Sequence, residues 1–368
     1  MDCGRQLSRL KGNKVQSLFY EQIRVALGQR DCLSKNPSDQ EWDAMFDIAE
    51  KQAVAGIAFL ALEKLSQVGQ KPTLSLLYEW IGLSEQTRIQ NQIVNQRCKD
   101  ITQLFSDAGY HSCILKGQGN AMMYPDSSAR TSGDIDIWVY GKRVEITKFV
   151  KHRCPEAFEQ YLHIDFPIYN DVLVEVHYTP GRLLAPKYNK RFQEWCDNYN
   201  RNDNQSIDGS LGFNIPTVEF NVVYQMVHIM THFFVEGIGL RHFIDYYYVL
   251  KELHKRNSSE NYEELFEYFG MLKFAQGVMW LEKDVIGIEE ELLIVSPDER
   301  IGRVILKEME EGGNFGQFDQ RYVARNKGLL WRGLTDSYRL LKLAYYFPQD
   351  SLWKIVRKIE NQKWRIKR

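Results

Sequence analysis

The sequence predicts an α+β protein: a small mixed β-sheet with flanking helices, set between N-terminal and C-terminal helical regions. Three observations predict it. Apolar residues recur at helical spacing up to Ala108. They alternate with polar ones between Tyr110 and Tyr178, and return to helical spacing from Thr217. The divisions that follow are a helical region over 1–109, a sheet-bearing core over 110–178, an irregular connection over 179–216 and a helical domain over 217–368. With 368 residues, 44% of them hydrophobic, the chain can bury more than one average core.

In chain order, Glu41 to Leu65 reads as one amphipathic helix, with Phe46, Ala49, Ala53, Ile57 and Leu60 on its apolar side. A second long helix carries Ile89, Ile93, Ile101, Leu104, Phe105 and Ala108 and stops at Gly109, a residue suited to a helix C-terminus. Ser112 to Leu115 reads as a strand entering a turn at Lys116-Gly117. Asp134 to Tyr140 is a strand with Ile135, Ile137 and Val139 on one face and Asp134, Asp136 and Trp138 on the other. Gly141 to His152 is helical. Tyr161–Tyr169 and Val172–Tyr178 are strands joined at Asn170-Asp171, a good tight-turn pair. The connection over 179–216 is rich in Gly, Pro, Asn and Asp, with room for one short helix. Thr217 is a natural N-cap for a helix with Val218, Val222, Met226, Ile229 and Phe233 along one side.

Bulk charge excludes a whole-chain polyanion binder, since 47 basic residues face 48 acidic ones for a net of -1. The exception is the tail WKIVRKIENQKWRIKR, with Trp353, Ile355, Ile359 and Trp364 among its cations. Nucleic-acid contact there is open, but a terminal helix with its apolar face packed is favoured. Cys3, Cys32, Cys98, Cys113, Cys154 and Cys196 form no Cys-x-x-Cys pair, so reduced thiols and a cytoplasmic setting are expected. The first residues have no apolar run after their charges, so no signal peptide is expected. No stretch reaches ~18 uncharged apolar residues, and no membrane span is expected.

The chemistry concentrates at Asp134 and Asp136. Two positions apart on a strand, they share a face about 7 Å apart along the backbone. Two such carboxylates can converge on divalent ions ~3.5–4 Å apart, as in-line phosphoryl chemistry requires. Mg²⁺ needs few protein carboxylates when phosphate oxygens complete its shell. Glu175, in LVEVHY, supplies a third carboxylate if its strand neighbours the first. Without a cation the three would repel one another. Gly133 precedes the pair, where bulk would crowd a ligand.

The run ILKGQGNAMMYPDSSARTSGDIDIWV resembles the signature of uncharacterised nucleotidyltransferases of the DNA polymerase β superfamily. The matching residues are Lys116, Gly117, Tyr124, Pro125, Arg130, Gly133, Asp134, Ile135 and Asp136. Weaker likeness continues through His163, Glu175 and His177 to His228, His232 and GLRHFID, with Arg241 and Asp245. The resemblance implies transfer of a nucleoside monophosphate from an NTP such as ATP to an unidentified acceptor, with release of pyrophosphate. It implies two Mg²⁺ or Mn²⁺ ions held by Asp134, Asp136 and Glu175. It makes the Lys116-Gly117 turn the phosphate-facing loop, where backbone N–H groups approach oxygens and Lys116 adds charge. The superfamily favours serine or glycine after that glycine; here Gln118 stands there, bulkier but still able to donate from its amide.

Other features are weighed beside it. Gly117-Gln118-Gly119 lacks the third glycine of a dinucleotide fingerprint, since Met122 holds its place. His228 and His232 share a helix face but lack the glutamate of a metalloprotease helix. Arg241 and Asp245 share a face and can pair with each other, or by resemblance border the nucleotide cleft. Arg130 can meet a triphosphate or buttress Asp134. His177 can orient Glu175, contact substrate or sit satisfied in the core. The nucleotide-binding set is therefore Lys116, Gly117, Gln118, Arg130, Gly133, His177 and Arg241. Two rival functions stay open: a scaffold that keeps the fold without catalysis, which Gln118 would favour, and a two-metal phosphohydrolase. Partnership with another protein is also open.

Overall fold

The computed structural model describes residues 3–201, 205–206, 212–318 and 337–366. Four helices come first: α1 Cys3–Ala26, α2 Asp39–Lys51, α3 Ala55–Gln67 and α4 Leu74–Asp107. The single helix expected over Glu41–Leu65 is two. Its apolar periodicity runs on through the break, but Ala53 adopts a left-handed φ of 56° and separates α2 from α3. A Ser38–Glu41 capping box fixes the start of α2. The second long helix ends as expected, with Gly109 at φ 81°, although Ile89 faces solvent rather than core.

The sheet follows: β1 Ser112–Leu115, the short helix α5 Gly117–Ala121, β2 Ile135–Val139, helix α6 Arg143–Arg153, β3 His163–Asp165 and β4 Val174–His177. The strand order is β1-β2-β4-β3. β2 and β4 run parallel, and the two outer pairings are antiparallel, so the sheet is mixed. β3 and β4 are shorter than the sequence suggests. They pair as expected, but the chain between them loops out before it turns at Asn170-Asp171, where Arg97 of α4 grips Asp171 bidentately.

Both faces of β2 are buried, where one was expected. Ile135, Ile137 and Val139 join a cluster with the second half of α4, α6 and β4. On the other face Trp138 joins a much larger cluster. That second cluster holds apolar residues of α1, α2 and α3 together with those of the later helices. These are α7 Pro186–Arg201, α8 Val218–Val235, α9 Leu240–Lys255, α10 Tyr262–Tyr268, α11 Leu272–Leu281 and α12 Glu299–Gly312. The helices before and after the sheet thus bury one common core. At 34 residues, about 50 Å, α4 spans both clusters: Leu76 and Trp80 lie in one, Val94 to Phe105 in the other.

Within 179–216 the chain forms the 16-residue α7 and the two-residue strand pair β5 Gln205–Ser206 and β6 Ile215–Pro216, more structure than expected. Thr217 caps α8 as expected, its side chain accepting from the Phe220 amide. The tail is helical from Pro348 to Ile366. Its expected packed face forms only in part: Trp353 packs against the larger cluster, Ile355 and Ile359 are exposed, Lys354 is buried, and the Trp364 side chain lies outside the described residues. Among the described residues, no helix is long and apolar enough to cross a membrane.

Candidate active site

Register alone assembles one polar face. Asp136 on β2 lies beside Glu175 on β4, and Glu175 lies beside Asp165 on β3. Asp134 is not inside the strand as expected; it is the residue just before β2, less buried than Asp136. The structure nonetheless brings the three carboxylates together. Oxygens of Asp134, Asp136 and Glu175 lie within 4.8 Å of one another. Three hard oxygen donors at that spacing, still open to solvent on one side, could hold a divalent cation.

The turn after β1 aims a cation at them. Lys116 has φ 38°, a conformation that costs a non-glycine residue of order 1 kcal/mol or more, and Gly117 follows at φ 41°. The strained turn brings Lys116 Nζ to 2.9 Å from Asp136 Oδ2. Burial disfavours that ammonium, but Asp136 and then Asp134 outweigh it and hold Lys116 above its ordinary value. Burial likewise opposes the Asp136 carboxylate, and Lys116 with His177 more than offsets it, so Asp136 sits below the usual carboxylate range. His177 Nε2 is 2.8 Å from Asp136 Oδ1, so both oxygens of Asp136 have a partner. The same nitrogen is 3.4 Å from Glu175 Oε2, and His163 Nδ1 approaches that oxygen to 3.3 Å. Burial lowers His177, but its contacts with Asp136 and Glu175 prevail and raise it to about 9.

A narrow cleft of about 20 Å³ separates this sheet face from α8 and α9. Lys116, Gly117, Gly133, Asp134 and Asp136 line one side, and Arg241, His228 and His242 the other. A larger hollow of about 460 Å³ beside Trp195 and Phe220 contains none of these residues. Converging charge, not size, locates the site.

The two arginines behave differently. Arg130 binds Asp245 through Nε and Nη2, each at 2.7 Å, and gives Nη1 to the Thr131 carbonyl. Tyr124 Oη donates to the same carboxylate at 2.6 Å. Arg130 therefore braces α9 against the loop before β2 and does not buttress Asp134. Arg241 does not pair with Asp245, because Arg130 and Tyr124 occupy it. Arg241 gives Nη1 to the Thr131 carbonyl at 3.1 Å, and its buried Nε has no partner among the described residues. Burial, and then the neighbouring Arg130, push Arg241 down to about 10. A buried guanidinium without its own carboxylate, facing a cleft, has the chemistry to receive an anion.

Gln118 is not where the sequence reading put it. Its amide donates to Asn95 Oδ1 at 2.6 Å and to Asn91 Oδ1 at 3.3 Å on α4, and it does not line the cleft. His228 and His232 have rings 4.3 Å apart but form no metal pair; among the described residues only two groups have metal-ligand spacing, and neither contains them. Burial first, then nearby cations, push His228 and His242 well below the ordinary range, which disfavours a charge on either imidazole. Sequence reasoning missed Tyr124 as a partner of Asp245, His242 and Phe315 as cleft residues, and Asp165. The last was findable, since it shares a strand face with His163.

Residues 38–287 match the model of a family described as uncharacterised nucleotidyltransferase. No curated protein matches the chain. Among solved structures, an antigenic nucleotidyltransferase-like protein from Paracoccidioides brasiliensis aligns at 11% identity and a TM-score of 0.31, covering 43% of this chain and 75% of that one.

Proposed function

The chain belongs to this family of uncharacterised nucleotidyltransferases, and from that premise we propose that it moves a nucleoside monophosphate from an NTP to an acceptor hydroxyl and releases pyrophosphate. One observation carries the reading: three carboxylates, Asp134, Asp136 and Glu175, converge, and two of them, Asp134 and Asp136, line a cleft with two cations, Lys116 and Arg241. The carboxylates suit Mg²⁺ or Mn²⁺, and the cations suit the polyphosphate that accompanies it. Two ions bound there would neutralise phosphate charge and draw acceptor and α-phosphorus into line. The acceptor oxygen forms a bond to the α-phosphorus as the bond to the bridging oxygen breaks. Glu175 would take the acceptor's proton. Lys116 and Arg241 hold the departing pyrophosphate, and Gly117 and Gly133 keep the cleft floor free of side chains. Arg130 positions the wall through Asp245. His177 orients Asp136 and Glu175.

The scaffold alternative rested on the bulk of Gln118, which lies outside the cleft. The test is calorimetric titration with each of the four common NTPs, with Mg²⁺ and with EDTA, beside Asp136→Asn. Mg²⁺-dependent binding of at least one NTP, lost in the variant, is expected. No binding of any NTP refutes the reading. Phosphate release without an acceptor would replace it with phosphohydrolysis.

A further inference from the structure

The sheet face carries a second set of ligands beside the carboxylates. Register places Leu115, Asp136, Glu175 and Asp165 in one row across the four strands, and Cys113, Trp138, His177 and His163 in the next. Glu175 therefore borders two imidazoles as well as two carboxylates. His163 Nδ1 is 3.3 Å from Glu175 Oε2, and His177 Nε2 is 3.4 Å from the same oxygen. The ring centroids are 5.1 Å apart, and one ligand atom from each residue falls within 4.8 Å of the other two. Three donors at such distances converge on a common point. An ion between them would stand about 2.0–2.2 Å from each, as nitrogen and oxygen ligands of a transition metal do.

The support around these donors is also in place. A ligating histidine usually turns its other ring nitrogen to a carboxylate or a carbonyl. His163 Nε2 has no hydrogen-bond partner, yet Asp165 Oδ1 lies 3.1 Å from it. His177 Nδ1 is 3.4 Å from the Thr179 carbonyl. His177 Nε2 hydrogen-bonds Asp136 Oδ1, and to ligate an ion that nitrogen would release its proton to solvent.

We propose that His163, His177 and Glu175 form a second metal locus that takes a first-row transition ion of the Zn²⁺ or Fe²⁺ kind. The donor set decides the class. Imidazole nitrogen favours these ions, whereas Mg²⁺ prefers oxygen throughout. Glu175 bridges this locus to the oxygen-only locus of Asp134 and Asp136. The site then holds two unlike ions, one chosen by nitrogen and one by oxygen. The inference deepens the proposed function by naming a metal preference, and rests on it only in sharing Glu175.

The experiment uses the full chain stripped with EDTA, without nucleotide. Co²⁺ serves as the spectroscopic probe and is titrated by visible absorption and calorimetry; Mg²⁺ is titrated by calorimetry alone. Wild type, His163→Gln and Asp134→Asn are compared, each checked by thermal unfolding before metal is added. The expected result is that His163→Gln lowers the ratio of Co²⁺ to Mg²⁺ affinity by ~10-fold or more, the scale on which ligand-shell changes act. Asp134→Asn should raise the same ratio. A ratio that stays within about twofold in His163→Gln, or a wild-type protein that does not bind Co²⁺, overturns the proposal. If Co²⁺ binding depends on His163 while no NTP binds the wild type, the locus stands and nucleotidyl transfer falls.

Discussion

Replacing either cleft arginine by methionine removes the same charge, yet the two changes should move stability in opposite directions. Arg130→Met strands Asp245 at 3% exposure with only the Tyr124 hydroxyl for a partner. Breaking a buried pair from one side costs about 3–5 kcal/mol. Arg241→Met strands nothing. A guanidinium pushed from its ordinary 12.5 down to about 10 carries a burial cost on the order of 3 kcal/mol, at about 1.4 kcal/mol for each tenfold. Against that relief stand one hydrogen bond to Thr131, worth about 1 kcal/mol, and the Phe315 ring 5.5 Å away, worth about 0.5–1 kcal/mol. The net is a gain of about 1 kcal/mol. Urea unfolding without nucleotide should therefore place Arg241→Met at or above wild type and Arg130→Met well below it. Binding reverses the order for Arg241. Losing a charge-assisted contact to phosphate, worth about 1.5–3 kcal/mol, should weaken Mg²⁺-NTP binding roughly 10- to 150-fold. If Arg241→Met destabilises the free protein as much as Arg130→Met, or binds nucleotide as wild type does, Arg241 is not an uncompensated anion receptor.

Three further outcomes are expected. Glu282 is fully buried with no hydrogen-bond partner for either carboxylate oxygen among the described residues, and burial raises it well above the ordinary range. Its neutral form is the one tolerated, so its contribution is intact below the ordinary glutamate value and is lost as pH climbs toward the raised one. Melting curves at pH 5 and pH 8 should show wild type losing more stability than Glu282→Gln; equal losses would contradict this. Gly56→Ala puts a Cβ at 2.4 Å from the Ala129 carbonyl oxygen, next to Arg130, and should cost about 1–3 kcal/mol in denaturant unfolding; a neutral result would mean that this turn yields. Gln118→Ala should lose about 1–2 kcal/mol with its two hydrogen bonds, yet keep Mg²⁺-NTP affinity within about threefold by calorimetry, and a larger drop would return Gln118 to the phosphate loop.

What the sequence made legible was what its spacing encodes locally. Alternation around Ile135 and Ile137 marked β2, and the shared side of Asp134 and Asp136 followed from it. The Thr217 cap is a hydrogen bond over three residues, and such signals survive folding. What it hid depended on distant partners. Arg130 and Asp245 are 115 positions apart, and neither carries a sign of the other. Gln118 could be placed only once Asn91 and Asn95, one helical turn apart on α4, were known to face it. The break at Ala53 was hidden for a different reason: the apolar period continues through it, so only backbone conformation marks it.

The common core of early and late helices has a consequence for synthesis. Arg24 bonds the Val285 carbonyl across 261 positions, Tyr20 reaches Glu310 across 290, and Gln52 reaches the Met309 carbonyl across 257. During translation α1, α2 and α3 leave the ribosome with their apolar faces made and their partners unwritten. At ~5–20 residues per second, a gap of 261 positions is a wait of roughly 13–52 s. Through that interval the first helices have only each other and α4, whose Trp80 packs on Phe46, to cover their apolar faces. The nascent chain is therefore a client for whatever shields apolar surface at the exit tunnel, and a ribosome stalled before α8 holds out a half-built core.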